Sequence, residues 1–210
     1  MQQNQSLLHR TAFMLIGNLL ISICVASYRL SGLGVDAFTG MNLGISGFLG
    51  MSFGNWQLIV NILLLVLVFF TIRHCIGMGT VVNMVCVGYI ADFVCWLAGD
   101  VIGLEITLPL RIFFVLLGLL FASSGVALYM HANMGTAPYD SLPLIIQKFT
   151  KERVSFRAAR VGCDITSLVI GVLFCLAAKG DVTTIIGVGT VCNAFFNGPL
   201  IQFFRDRIEK

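Results

Sequence analysis

Asp164 stands four residues after Arg160 in the run RVGCDITSLVIGVLFCLA. That step puts both side chains on one face of a helix, where an ion pair can form. A charge in an apolar run costs roughly 2.5–3.5 kcal/mol on insertion scales, so a carboxylate there is either anchored or in use. Two chemistries fit: a structural pair that fixes a helix at a membrane edge, or a carboxylate that meets a solute or carries a proton. Asp36, Asn61, Asn83, Asp92, Asp140 and Asn193 are further polar side chains in apolar surroundings, and Arg29 is a second basic partner. Gly79 and Gly189 belong to the phrases IGMGTVVN and IGVGTVCN. Glycines at a helix start leave bare amides that attract an anion, or they let two backbones come close. Asp36, Asn61, Gly79, Asn83, Asp140, Arg160, Asp164, Gly189 and Asn193 are the candidates for a binding site or pathway. No residue is assigned to catalysis. The histidines are His9, His74 and His131, no CxxC occurs, and the cysteines sit in or beside apolar runs. Neither a zinc site, a disulfide framework nor a cofactor is expected.

The elements that must carry these residues are membrane helices. The chain is 58% hydrophobic and 11% charged, with a mean hydropathy of +0.94, against about 25% charged in soluble domains. A spanning helix takes about 20 apolar residues. Six runs qualify: 11–31, 56–72, 76–97, 108–130, 158–178 and 183–204. Pro109 suits the first turn of the fourth. The polar start and single Arg10 before the first run predict an uncleaved span rather than a leader. With the N-terminus in the cytoplasm, Arg10, Arg73, the basic residues of 148–160 and those of the C-terminal RDRIEK fall inside. Only Arg29, Arg111 and Lys179 of the thirteen Lys and Arg fall outside. That bias predicts cytoplasmic N- and C-termini, which an even number of spans requires. The net charge of +3 is thereby a matter of orientation, and no nucleic-acid partner is expected.

The two glycine phrases agree at six of eight letters and lie 110 apart (186 − 76). They belong to a longer match. RTAFMLIGNLLISICVASYRLSGLG at 10–34 aligns with RIFFVLLGLLFASSGVALYMHANMG at 111–135, an offset of 101 (111 − 10). GVDAFT at 34–39 then meets GTAPYD at 135–140. Apolar composition would align Leu with Leu, but not Arg, Gly, Ser, Tyr and Asn in order. The chain reads as a duplication, 1–107 and 108–210, joined in one compact membrane domain. Three spans per copy is an odd number, so the second copy crosses in the opposite sense. This is an inverted repeat, with which many transporters build a midplane site. Between the first two spans of each copy, 34–54 and 135–157 are too short to cross and read as re-entrant or interfacial helices. The expected fold is all-α: six transmembrane helices as two inverted three-helix repeats, each with such a short helix.

GLGVDAFT, NMGTAPYDSL, the IGxGTVxN pair and the closing NGPLIQFF together resemble the bacterial YitT/YczE membrane-protein family, over nearly the whole chain. Ala37 stands where that family often has Pro, whereas Pro138 keeps it in the second copy. The resemblance implies a multi-pass protein of the bacterial inner membrane and carries over no site residue. Three functions follow in order of fit. The first is a transporter or channel for a small solute, neutral or anionic, between the two repeats. The second is a non-catalytic accessory or scaffold protein that assists another membrane or biosynthetic system. An intramembrane enzyme comes last, because no nucleophile–base or metal cluster is apparent. The expected partners are the lipid bilayer and an unidentified solute, with a homo-oligomer or a partner protein left open.

Overall fold

The computed structural model describes residues 6–208 and, among them, is entirely helical. Eight α-helices follow one another: α1 (Leu7–Ser31), α2 (Ala37–Leu49), α3 (Phe53–Ile72), α4 (Met78–Trp96), α5 (Leu108–Ala132), α6 (Leu142–Phe149), α7 (Phe156–Ala177) and α8 (Val188–Ile208). Six of them, α1, α3, α4, α5, α7 and α8, are long and apolar enough to cross a membrane. The chain is therefore a multi-pass membrane protein. The two remaining helices, α2 and α6, fall in the segments expected not to span.

Local chemistry sets the ends. Ser6, Asp36, Ser52 and Ser155 accept the amides of His9, Thr39, Asn55 and Ala158 and so start α1, α2, α3 and α7. Gly32 and Asn133, equivalent at an offset of 101, both close their helices in the left-handed conformation. The last span, expected from Thr183, runs Val182–Ile208, but its first residues are not α-helix. Asp181 caps a short 3-10 turn, Val182–Thr184, and α8 begins only at Val188. The hydroxyl of Thr184 donates to the carbonyl of Asp181, so this stretch satisfies its own backbone without entering the helix.

The centre is the pair α1 and α5. Arg10 lies beside Ala132, Phe13 beside His131, and Tyr28 over Gly118. Numbers rise along one helix as they fall along the other, so the two run antiparallel. The approach is close because glycine faces glycine: a Cβ on Gly17 would lie 2.8 Å from the Gly125 carbonyl oxygen, and one on Gly125 2.9 Å from that of Gly17. In lipid no hydrophobic force joins helices, and such small-residue contacts supply the packing instead. Ser22 and Ser123, wholly buried here, return their hydroxyls to the Asn18 and Leu119 carbonyls. Parallel to α1 lies α4, with Asn83 donating to the Asn18 side chain at 2.8 Å. On the other flank α8 meets α5, where Ser123 bonds Asn197 at 3.1 Å.

The short helix α2 runs parallel to α7. Gly40 abuts Leu168, Gly44 abuts Gly171, and Phe48 packs edge-on against Phe174 at 5.3 Å. A side chain at Gly171 would put its Cβ 2.6 Å from the Gly40 carbonyl oxygen, whereas Gly162 on the same helix faces open space. Gly171→Leu should therefore lower the thermal midpoint of the detergent-purified protein, with a loss of about 1–3 kcal/mol or more from overpacking. Gly162→Leu should leave it unchanged or raise it, since Gly costs a helix about 1 kcal/mol. Equal midpoints for the two variants would contradict this packing.

Candidate functional site

Each glycine phrase holds a loop of the other half. At the start of α4, the Gly79 amide donates to the Met134 carbonyl at 2.8 Å, and the Cys75 carbonyl accepts the Thr136 amide at 2.9 Å. At the start of α8, the Gly189 amide donates to the Leu33 carbonyl at 2.7 Å, and the Ile185 carbonyl accepts the Val35 amide at 3.2 Å. Thr80 and Thr190 turn their hydroxyls onto the Gly77 and Gly187 amides, and the Thr80 hydroxyl donates to the Thr136 carbonyl at 2.9 Å. The amides of Gly79 and Gly189 thus already have carbonyl partners, so no anion is needed to satisfy them. Gly34 (φ 95°) and Gly135 (φ 113°) are in the left-handed region. A Cβ on either would also lie 2.5 Å from the hydroxyl of the threonine opposite.

The loops so held carry the polar cluster. Asp36, Phe38 and Thr39 lead into α2; Tyr139 and Asp140 form a 3-10 turn before α6; Arg160, Asp164 and Ser167 come from α7. The Arg160 guanidinium pairs with Asp140 and, through Nε at 3.2 Å, with Asp164. The Tyr139 hydroxyl donates to the other oxygen of Asp164 at 2.7 Å and lies 3.3 Å from Ser167 Oγ. Arg160 also stands over the Tyr139 ring, 5.1 Å from its centroid. Phe38 stacks on the Tyr139 ring at 4.5 Å with the planes 24° apart. Asp164 is about 12 Å along α7 from its start at 1.5 Å per residue, so the cluster sits well inside the helical layer. It is open in part: the side chains of Arg160, Asp140 and Asp164 are 36%, 45% and 34% exposed.

Of the positions singled out from the sequence, Asp36, Asp140, Arg160 and Asp164 thus converge. Asn83 and Asn193 make no bond to this cluster: Asn83 donates to Asn18 on α1, and Asn193 accepts weakly from Asn197 one turn on along α8, at 3.5 Å. Asn61 is buried on α3. Gly79 and Gly189 form the clasps. The hydroxyl of Tyr139 and the Phe38 ring were not singled out. Their signal was the alignment itself, which sets an aromatic residue at both 38 and 139. Arg29 finds Asp92 at 2.7 Å, far from the cluster, and Asp92 also accepts the Gly54 amide at 2.6 Å. Among the described residues no group of three or more His, Cys, Asp or Glu is poised to hold a metal ion.

Two cavities flank this centre. One of about 380 Å³ is lined by Arg29, Leu43, Gly47, Cys175, Asp181 and Thr184 among others. The second, about 440 Å³, opens beside Arg10, His74, Gly77, Met134 and Thr136. Arg10 there closes the C-terminus of α5, donating through Nε to the Ala132 carbonyl at 2.9 Å and through Nη2 to that of Asn133. A cation at that end complements the helix dipole.

The chain is similar to the uncharacterized protein YyaS of Bacillus subtilis, 27% identical over 196 residues that make up 93% of this chain and 92% of the relative. It is similar to the uncharacterized membrane protein YczE of the same organism, 26% identical over 201 residues, 95% of this chain and 86% of YczE. An uncharacterized protein of Haemophilus influenzae is 26% identical over 182 residues, 86% of this chain and 76% of that one. No solved structure matches. The resemblance to YczE expected from the motifs is therefore met. A profile of a family of unknown function, DUF6198, matches residues 8–206, α1 to α8, and the chain belongs to that family.

Proposed function

We propose that the protein carries a small solute across the bacterial inner membrane, along a pathway between two inverted three-helix halves, and that it is not an enzyme. The observation that carries this reading is the stack of Phe38 on Tyr139. The two are equivalent at an offset of 101 (139 − 38). Equivalent residues touch each other only where a two-fold axis runs between them, as at an isologous interface. The antiparallel α1 and α5 and the reciprocal loop contacts support the same axis. An axis of that kind within the membrane plane marks the midplane site of inverted-repeat transporters.

In this reading α2 and α6 are re-entrant. The chain dips from the end of α1 to Asp36 and returns along α7 as α2; it dips from the end of α5 to Tyr139 and returns as α6. Irregular backbone at such depth is tolerated where it lines a polar path. The two halves meet at the aromatic stack, with Asp36, Asp140, Arg160 and Asp164 beside it as the solute-facing or proton-carrying groups. The basic residues orient α1 from cytoplasm to exterior, and both termini are cytoplasmic.

Purified protein in liposomes, screened for flux of labelled small solutes, tests the proposal. At least one solute should cross. Asp164→Asn, which keeps the shape and removes the charge, should cut that flux by roughly tenfold or more, as expected for loss of a charge-assisted bond of about 1.5–3 kcal/mol. Absence of flux for every solute from a folded protein, with a stable partner protein recovered by pull-down, would replace the transporter by the accessory reading.

A further inference from the structure

We infer that the cavity beside Arg29 binds a small zwitterion with one carboxylate and one ammonium group, of the size of a neutral amino acid. The inference deepens the transport reading and rests on it for the meaning of the site, though binding itself does not require it. The cavity volume of about 380 Å³ falls in the range of ligand sites, roughly 300–1,000 Å³. Leu43, Gly44 and Gly47 of α2 line the cavity, about one and a half to two and a half turns along that helix from Phe38.

The two charged groups in the lining have different needs. Arg29 uses one guanidinium nitrogen, Nη1, for Asp92 and rests on the Phe53 ring at 4.5 Å. Its Nε and Nη2 make no hydrogen bond among the described residues, while its side chain is only 17% exposed. These two nitrogens are not among the buried side-chain atoms left without a partner, so they stay accessible to an acceptor. Both Asp92 oxygens are already engaged, Oδ1 by Nη1 and Oδ2 by the Gly54 amide. Two adjacent guanidinium N–H groups match one carboxylate. On the opposite wall the Asp181 carboxylate takes the Thr183 amide and hydroxyl on Oδ1. These bonds hold its carboxyl below the ordinary value of 3.8, so it remains charged. Its Oδ2 is left for an ammonium. An anion alone would meet Asp181, and a cation alone would meet Arg29; a solute with both charges meets neither conflict. The rest of the wall, Leu43, Cys175 and Ile185, accepts a short apolar side chain.

The glycines give a clean test. Gly47 lines the cavity and a Cβ there meets nothing within 4 Å, so Gly47→Leu adds bulk at the cavity wall with no clash at the Cβ. Asp181→Asn keeps the turn cap and removes the charge. Calorimetric titration of the detergent-purified full chain with the neutral amino acids, with propionate and ethylamine as single-charge comparators, reads the site. At least one neutral amino acid should bind saturably. Both comparators, and both variants at unchanged thermal midpoint, should bind at least about tenfold more weakly. No binding by any neutral amino acid overturns the inference. So does propionate or ethylamine binding as tightly as the amino acid, or undiminished binding to Gly47→Leu. Flux in liposomes separates the two claims. Binding without flux leaves this site standing and removes the transport reading. Flux of another solute with no amino-acid binding does the reverse.

Discussion

The hydroxyls of Thr80 and Thr190, each at the head of a membrane helix, fix most of what lies around them. Each accepts the amide that opens its own phrase. The same helix start then takes and gives backbone hydrogen bonds to a loop from the other half. These bonds satisfy part of the loop backbone and dictate where the loops go. Because each loop leads within a few residues into Asp36 and Phe38, or into Tyr139 and Asp140, the clasp also sets the geometry of the polar cluster. The glycines follow from it: Gly77, Gly79, Gly187 and Gly189 stand where the partner backbone leaves no room for a side chain.

The cluster is held by one cation between two carboxylates, with a phenol as a further donor. Arg160 alone balances Asp140 and Asp164, and the Tyr139 hydroxyl takes up the Asp164 oxygen that Arg160 does not reach. Removing either carboxylate leaves Arg160 paired with the other; removing Arg160 leaves both without their cation. The two halves of the chain also differ chemically: residues 108–210 supply Asp140, Arg160 and Asp164 to the cluster, and residues 1–107 hold a separate pair, Arg29 with Asp92.

Hydropathy alone revealed the six long helices, because lipid demands a continuous apolar run and nothing in the fold overrides that. The alignment of the two copies gave the correspondence of the clasps before their partners were known. The pairing of Arg160 with Asp164 was legible because it is local, a single helical step. Asp140 joins the same guanidinium from 20 positions away, and Arg29 reaches Asp92 across 63; such pairings depend on how helices are placed, not on spacing. The last span begins at Val182, within one residue of the hydropathy boundary, but its α-helix begins only at Val188. An apolar run does not distinguish a helix from a turn capped by Asp181. The glycine amides were open to two readings, and the close approach of the Met134 and Leu33 carbonyls shows why backbone packing suffices for them.

The central claim is that two copies of one unit cross the membrane in opposing senses and clasp each other through equivalent contacts. Side-specific labelling tests it most directly. Single cysteines at Gly50 and Glu152, in a background with the native cysteines replaced, are probed in whole cells with a membrane-impermeant maleimide. The account predicts that the residue at 50 reacts from outside and the one at 152 only after the membrane is opened. Labelling of both from the same side would contradict it.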